Sequence, residues 1–265
     1  MEFVMPGARK GFIATAIVIA AASSPVVANH SWDGLHWQRP NGAEVTAPVG
    51  DNVGPQWDKY LVGAVANWNK STVIQSPVVA GTTLPAKCQL KAGTIQVCNA
   101  VYGVTGWLGL TSVQVSNGHI SAMSSKLNDS YYNTPTYNTA GWRQYVVCHE
   151  LGHAYGLAHQ DEDFYNPNIG SCLDLPLNVK GNEGPNAHDY EMLAALYNHA
   201  ESSLASANGV TSSGLEIGNS PKDWGKAIKF DRFGRPTVFV RILSPTERVL
   251  TDVLWAVGEG PRGRF

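Results

Sequence analysis

His149-Glu150-Leu151-Gly152-His153-Ala154-Tyr155-Gly156-Leu157-Ala158-His159 is the stretch on which the reading of this chain turns. It fits the pattern H-E-x-x-H-x-x-G-x-x-H, in which three histidines bind one zinc ion and a glutamate acts on the bound water. His149 and His153 are four apart, so a helix sends both imidazoles from one face toward one ion. That face cannot easily supply a third ligand. Gly156 allows left-handed φ/ψ and a sharp turn, after which His159 can return from below. Glu150 is kept for the water, because the fourth position of a catalytic site has to stay open. A helix with surface histidines and a glycine C-cap would leave the spacing unexplained.

Working outward, the motif helix is expected to begin near Ala140, with Asn138 or Thr139 as N-cap, and to end at Gly156. Upstream, Trp57, Tyr60, Leu61, Ala64, Val65 and Trp68 form one apolar stripe over residues 57–71, a helix packed on a broad surface. Between the two lie β-like runs at 72–80, 94–101, 111–116 and 119–126, with Asn117-Gly118 as a hairpin signal. From Gln160 to Gly184 no period is visible, and an irregular loop floor is expected. Asn186 with Asp189 then opens a further helix as a capping pair. Ser202 to Ser220 is rich in Ser, Gly and Asn and reads as a linker. Alternation returns at Val238, Val240, Ile242 and at Val249, Thr251, Val253, Trp255 around a turn at 244–247. Strands this few are marginal alone, so they are expected to dock on the main domain.

Ahead of all this, Arg9-Lys10 and the apolar run from Gly11 to Ala22 read as a secretory signal peptide ending near Ala28. That run is short for a membrane span. The expected organisation is a signal peptide over 1–28, a catalytic domain over 29–201, a linker over 202–222 and a small β-rich extension over 223–265. Net charge is −2 and only 15% of residues are charged, which gives no reason to expect a nucleic-acid partner. Four cysteines in an exported chain suggest two disulfides, with three possible connectivities. Cys88 and Cys98 flank a short segment. A Cys148–Cys172 bond would tie the motif helix to the loop beyond it.

Three further runs accompany the motif: His159-Gln160-Asp161-Glu162, Ser171-Cys172-Leu173-Asp174 and Pro185-Asn186-Ala187-His188-Asp189-Tyr190. Together they resemble the metzincin clan of zinc metalloendopeptidases, and look most like matrixin-like secreted proteases of bacteria. The resemblance covers roughly residues 30–200. It implies an α+β domain of two subdomains: a twisted mixed sheet with two helices, then an irregular lower part with a terminal helix. The chain departs from the family in three ways. Leucine stands at 173 where metzincins place a methionine beneath the zinc, a change of similar volume and apolar character. Leu175 stands where some families carry a tyrosine. No free-cysteine prosegment is found, and removal of a long propeptide is not expected.

The resemblance implies a secreted, monomeric endopeptidase with one Zn²⁺ on His149, His153 and His159, and Glu150 as general base. Its partners would be protein or peptide substrates bound in extended form, with no membrane association after signal cleavage. The strand 119–126 matches the family's substrate-pairing edge strand, to which an extended peptide would add antiparallel. Asp161, Glu162 and Asp163 are candidates for Ca²⁺, with a solvated acidic loop as the plainer reading. His30, His36, His119, His188 and His199 are not expected to bind metal. A catalytically weak or inactive metzincin fold, used as a binding module, is the alternative that Leu173 and the β-rich tail suggest.

Overall fold

The computed structural model describes residues 1–2, 30–39, 42–199 and 214–261. Nearly all of the expected signal peptide and residues 202–213 of the expected linker lie outside them. The elements in chain order are strand β1 (Val49–Asn52), helix α1 (Asp58–Trp68), strands β2 (Val78–Ala80), β3 (Ile95–Ala100), β4 (Trp107–Ser116) and β5 (His119–Asn128), and helices α2 (Asp129–Tyr132), α3 (Ala140–Ala154) and α4 (Ala187–Leu196). Helix α5 (Pro221–Trp224) and strands β6 (Lys226–Phe230), β7 (Pro236–Ile242) and β8 (Glu247–Trp255) follow. None of the described helices is long and apolar enough to cross a membrane.

Asn117 and Gly118 take positive φ of 51° and 87°, the backbone that a two-residue hairpin requires. They join β4 to β5, the centre of one mixed sheet ordered β2-β1-β3-β5-β4-β8-β7-β6. The first four strands of that order are parallel, and the rest of the sheet is antiparallel. With the long helices α1 and α3 packed on one face of a largely antiparallel mixed sheet, the fold is α+β. The stripe predicted for α1 is buried at Tyr60, Leu61, Ala64, Val65 and Trp68. It packs with Val146, Val147 and Leu151 of α3 against Val97, Val113, Met123 and Leu127 of the sheet. Burying each such side chain contributes about 1.5–3 kcal/mol, so this layer fixes where α3 lies.

Two features depart from the sequence expectation. Strand β5, read as an edge available to substrate, is internal, with β3 on one side and β4 on the other. The C-terminal strands continue the same sheet: β8 pairs antiparallel with β4 along its length, from Trp107↔Trp255 to Ser116↔Glu247. The reason is apolar on both faces. Leu250 and Leu254 join the helix-side core, while Val249, Val253 and Trp255 join a second cluster with Trp107, Leu110, Phe239 and Trp224. Part of the expected linker is packed as well, since Leu215 bridges to Leu90 and Ile217 is buried. Strand β1, which no alternation announced, is held between β2 and β3.

Candidate metal centre

Thr139 starts α3 by accepting a hydrogen bond from the Trp142 amide, and the helix closes at Tyr155. Gly156 follows at φ 91°, and a Cβ there would lie 1.9 Å from the Leu35 carbonyl oxygen. The turn is therefore glycine for two reasons, conformation and space. It is also pinned from outside, because the Trp32 amide donates to the Gly156 carbonyl at 2.7 Å and the Ala158 amide to that of His30 at 2.6 Å.

Past this turn His159 meets the two helical histidines. The Nε2 atoms of His153 and His159 lie 3.1 and 3.2 Å from Nε2 of His149. Each ring is held by its other nitrogen. His149 Nδ1 donates to the Cys172 carbonyl at 2.8 Å and His153 Nδ1 to the Leu157 carbonyl at 2.8 Å, acceptors that fix those protons on Nδ1. His159 Nδ1 faces Glu162 Oε1 at 3.1 Å. Three Nε2 lone pairs therefore converge with no proton between them, an arrangement able to hold a cation. Their spacing suits zinc: ligands about 2.0–2.1 Å from a tetrahedral centre are about 3.3 Å apart. Burial lowers the His149 pKa well below its ordinary value, helped by the charges of His153 and His159, and lowers that of His153 to about 4 although Asp252 opposes it. Neutral imidazoles are the ligand form.

A carboxylate from the far end of the chain stands beside the three histidines. Asp252 of β8 sits on the helix side of the sheet, with Oδ1 3.7 Å from Nε2 of both His153 and His159. It is buried, and Oδ1 has no hydrogen-bond partner. Among the described residues, His149, His153, His159 and Asp252 form the one group able to hold a metal ion. Asp252 carried a signal in the sequence: it is a lone carboxylate within Val249-Leu-Thr-Asp-Val-Leu-Trp-Ala-Val257, a run apolar on both faces where an unpartnered charge is costly.

Glu150 is buried beside this group and receives a hydrogen bond from the Thr111 hydroxyl of β4, with its Oε1 unpartnered. Burial holds its pKa well above the ordinary carboxylate value; the Thr111 bond lowers it and the Asp252 charge raises it further. Gly109 makes the room, since a Cβ there would stand 1.9 Å from Glu150 Oε1.

Beneath the helix, Cys148 and Cys172 form a disulfide, as do Cys88 and Cys98. Leu173 is fully buried, and its methyls fill the space where Gly152 would carry a Cβ, at 2.7 and 3.1 Å. Leu175 is buried too. Asp189 caps α4 in a capping box with Asn186, accepts from Ser171 Oγ at 2.7 Å and pairs with His30 Nε2 at 3.1 Å. The acidic run considered for Ca²⁺ does not converge. Asp161 accepts from the Asp163 amide, Glu162 pairs with Lys229 at 2.6 Å and Asp163 with Arg232 at 2.5 Å. Elsewhere His36 and His199 approach at 3.1 Å between Nε2 atoms, and His119 packs edge-on against His36. His188 packs on His30.

No protein-family model matches the chain, and no curated protein matches it. Among solved structures, it is similar to high choriolytic enzyme 1, a hatching-enzyme zinc-protease from Oryzias latipes (medaka fish), at a TM-score of 0.34 and 15% identity, covering 63% of this chain and 96% of that one.

Proposed function

We propose that the chain is a secreted zinc-dependent endopeptidase of metzincin type, matrixin-like in its motif region, acting on extended protein segments. The observation that carries this reading is the convergence of three lone-pair Nε2 atoms beside a buried glutamate. His149, His153 and His159 would hold the zinc. When bound, zinc supplies Lewis acidity toward a peptide carbonyl and makes an attacking water easier to deprotonate. Glu150 accepts that proton at its carboxylate and passes it to the leaving amine, and the Thr111 hydroxyl fixes the carboxylate in place. The Cys172 and Leu157 carbonyls orient the imidazoles and keep them neutral. Leu173 acts in place of the family's methionine, as apolar support under α3. Two disulfides accord with export to an oxidising compartment.

Metal content and hydrolysis test the reading together. The purified chain is expected to hold one zinc, and His153→Ala to lose it. Hydrolysis of an unfolded protein substrate by the chain is expected to be abolished by chelator and by Glu150→Gln, which retains the metal. Zinc-free protein, or cleavage that survives Glu150→Gln, would overturn it.

A further inference from the structure

The side of β4 away from β5 is where an extended peptide would have to pair in order to pass over Glu150 and the histidines, because Gly109 and Thr111 of β4 lie directly against Glu150. That side is filled by β8, antiparallel and in register, with Thr111 opposite Asp252. The strand does more than cover the cleft. Leu250 and Leu254 anchor it in the core on either side of Asp252, and the carboxylate between them projects to the histidines. The neighbouring β6–β7 hairpin, whose β7 pairs with β8, is fastened to the floor of the site by Lys229–Glu162 and Arg232–Asp163, and Glu162 is itself the residue that holds His159. On the other flank Tyr131 donates to Glu259 at 2.6 Å, and the Val257 amide donates to the Tyr137 hydroxyl.

A buried carboxylate with an unpartnered oxygen is strongly disfavoured unless a cation meets it. The three lone-pair nitrogens 3.1–3.2 Å apart carry the same implication. One ion satisfies both.

We propose that residues 226–255 are a built-in inhibitor of the site: β8 takes the place of an extended substrate beside β4, and Asp252 takes the fourth coordination position of the metal. The inference rests on the zinc reading above. The full chain is then latent, and hydrolysis requires β8 to leave. Because the inhibitor is tethered, its effective concentration is on the order of millimolar, so a substrate peptide at micromolar levels does not displace it.

The test uses the full chain with cobalt(II) in place of zinc, as wild type, Asp252→Ala and Asp252→Asn, the last keeping size and shape in case the alanine form folds poorly. Metal content, metal affinity and the cobalt absorption spectrum are read during titration with acetohydroxamate. Wild type is expected to bind one ion and to leave its spectrum unchanged at hydroxamate concentrations that saturate the variants. The variants are expected to bind the ion more weakly, by at least the roughly tenfold that loss of an outer partner costs, and to change spectrum on adding hydroxamate. Equal affinity and an equal hydroxamate response in wild type and variants would overturn the inference and leave the zinc reading standing. Absence of metal from all three would remove the zinc reading, and the inference with it.

Discussion

Truncating Leu173 to alanine probes the support beneath the motif helix. The side chain is fully buried, and its two methyls lie where Gly152 of α3 would carry a Cβ. Loss of three carbons costs about 2.4 kcal/mol at ~0.8 kcal/mol per methylene. Gly152 has no side chain to move into the space, so the cavity stays largely open and adds up to about 2 kcal/mol. The expected loss is therefore about 4 kcal/mol. Leu173→Met, of similar volume, is expected to cost less than about 1.5 kcal/mol. Urea unfolding at equilibrium checks both, with chelator present so that metal binding does not add to the measured stability, and with disulfides oxidised. The midpoint should fall for alanine at constant m. A loss under about 1.5 kcal/mol for alanine, or a methionine variant as unstable as the alanine one, would refute the packing argument.

Two further predictions follow from the same structure. Gly156→Ala places a methyl 1.9 Å from the Leu35 carbonyl oxygen at φ 91°, whereas Gly118→Ala has the same kind of backbone, φ 87°, with nothing within 4 Å. Thermal or urea unfolding should show about 1–2 kcal/mol of loss at 118 from conformation alone, and clearly more at 156; equal losses would deny the close approach. Lys126 is buried with its ammonium on the Ile217 carbonyl and on Asn219 Oδ1 at 2.8 Å, and burial lowers its pKa to about 8 although Glu216 and Asp223 oppose this. Below pH 8 the lysine is charged in both states and the cost of burying it is fully present. Between about 8 and 10.5 the unfolded chain keeps a proton that the folded chain has released, so stability rises with pH, by about 3 kcal/mol in total. The unfolding free energy of wild type should climb across that window relative to Lys126→Met, and parallel curves would refute the assignment.

Much of the site was legible because it is local. The spacing of His149, Glu150 and His153 acts through helical periodicity, and Gly156 and Thr139 act through turn and cap chemistry; each needs only neighbours a few residues away. The stripe on α1 and the Asn117-Gly118 turn were readable for the same reason. The position of β5 was not. Edge or interior is a property of the sheet order, and alternation along one strand carries no information on which strands lie beside it. The 161–163 carboxylates looked like a site in sequence, but Lys229 and Arg232, far along the chain, engage Glu162 and Asp163.

By itself the sequence determined the grouping of His149, Glu150, His153 and His159 and the helix that presents them, since those depend on spacings within one short run. Only the tertiary structure decided what stands opposite. Asp252 lies 93 residues beyond His159 in a strand whose pattern gives its faces but not its neighbour. Its approach to 3.7 Å from two of the histidines follows from the pairing of β8 with β4, a contact set by packing on both faces of the sheet.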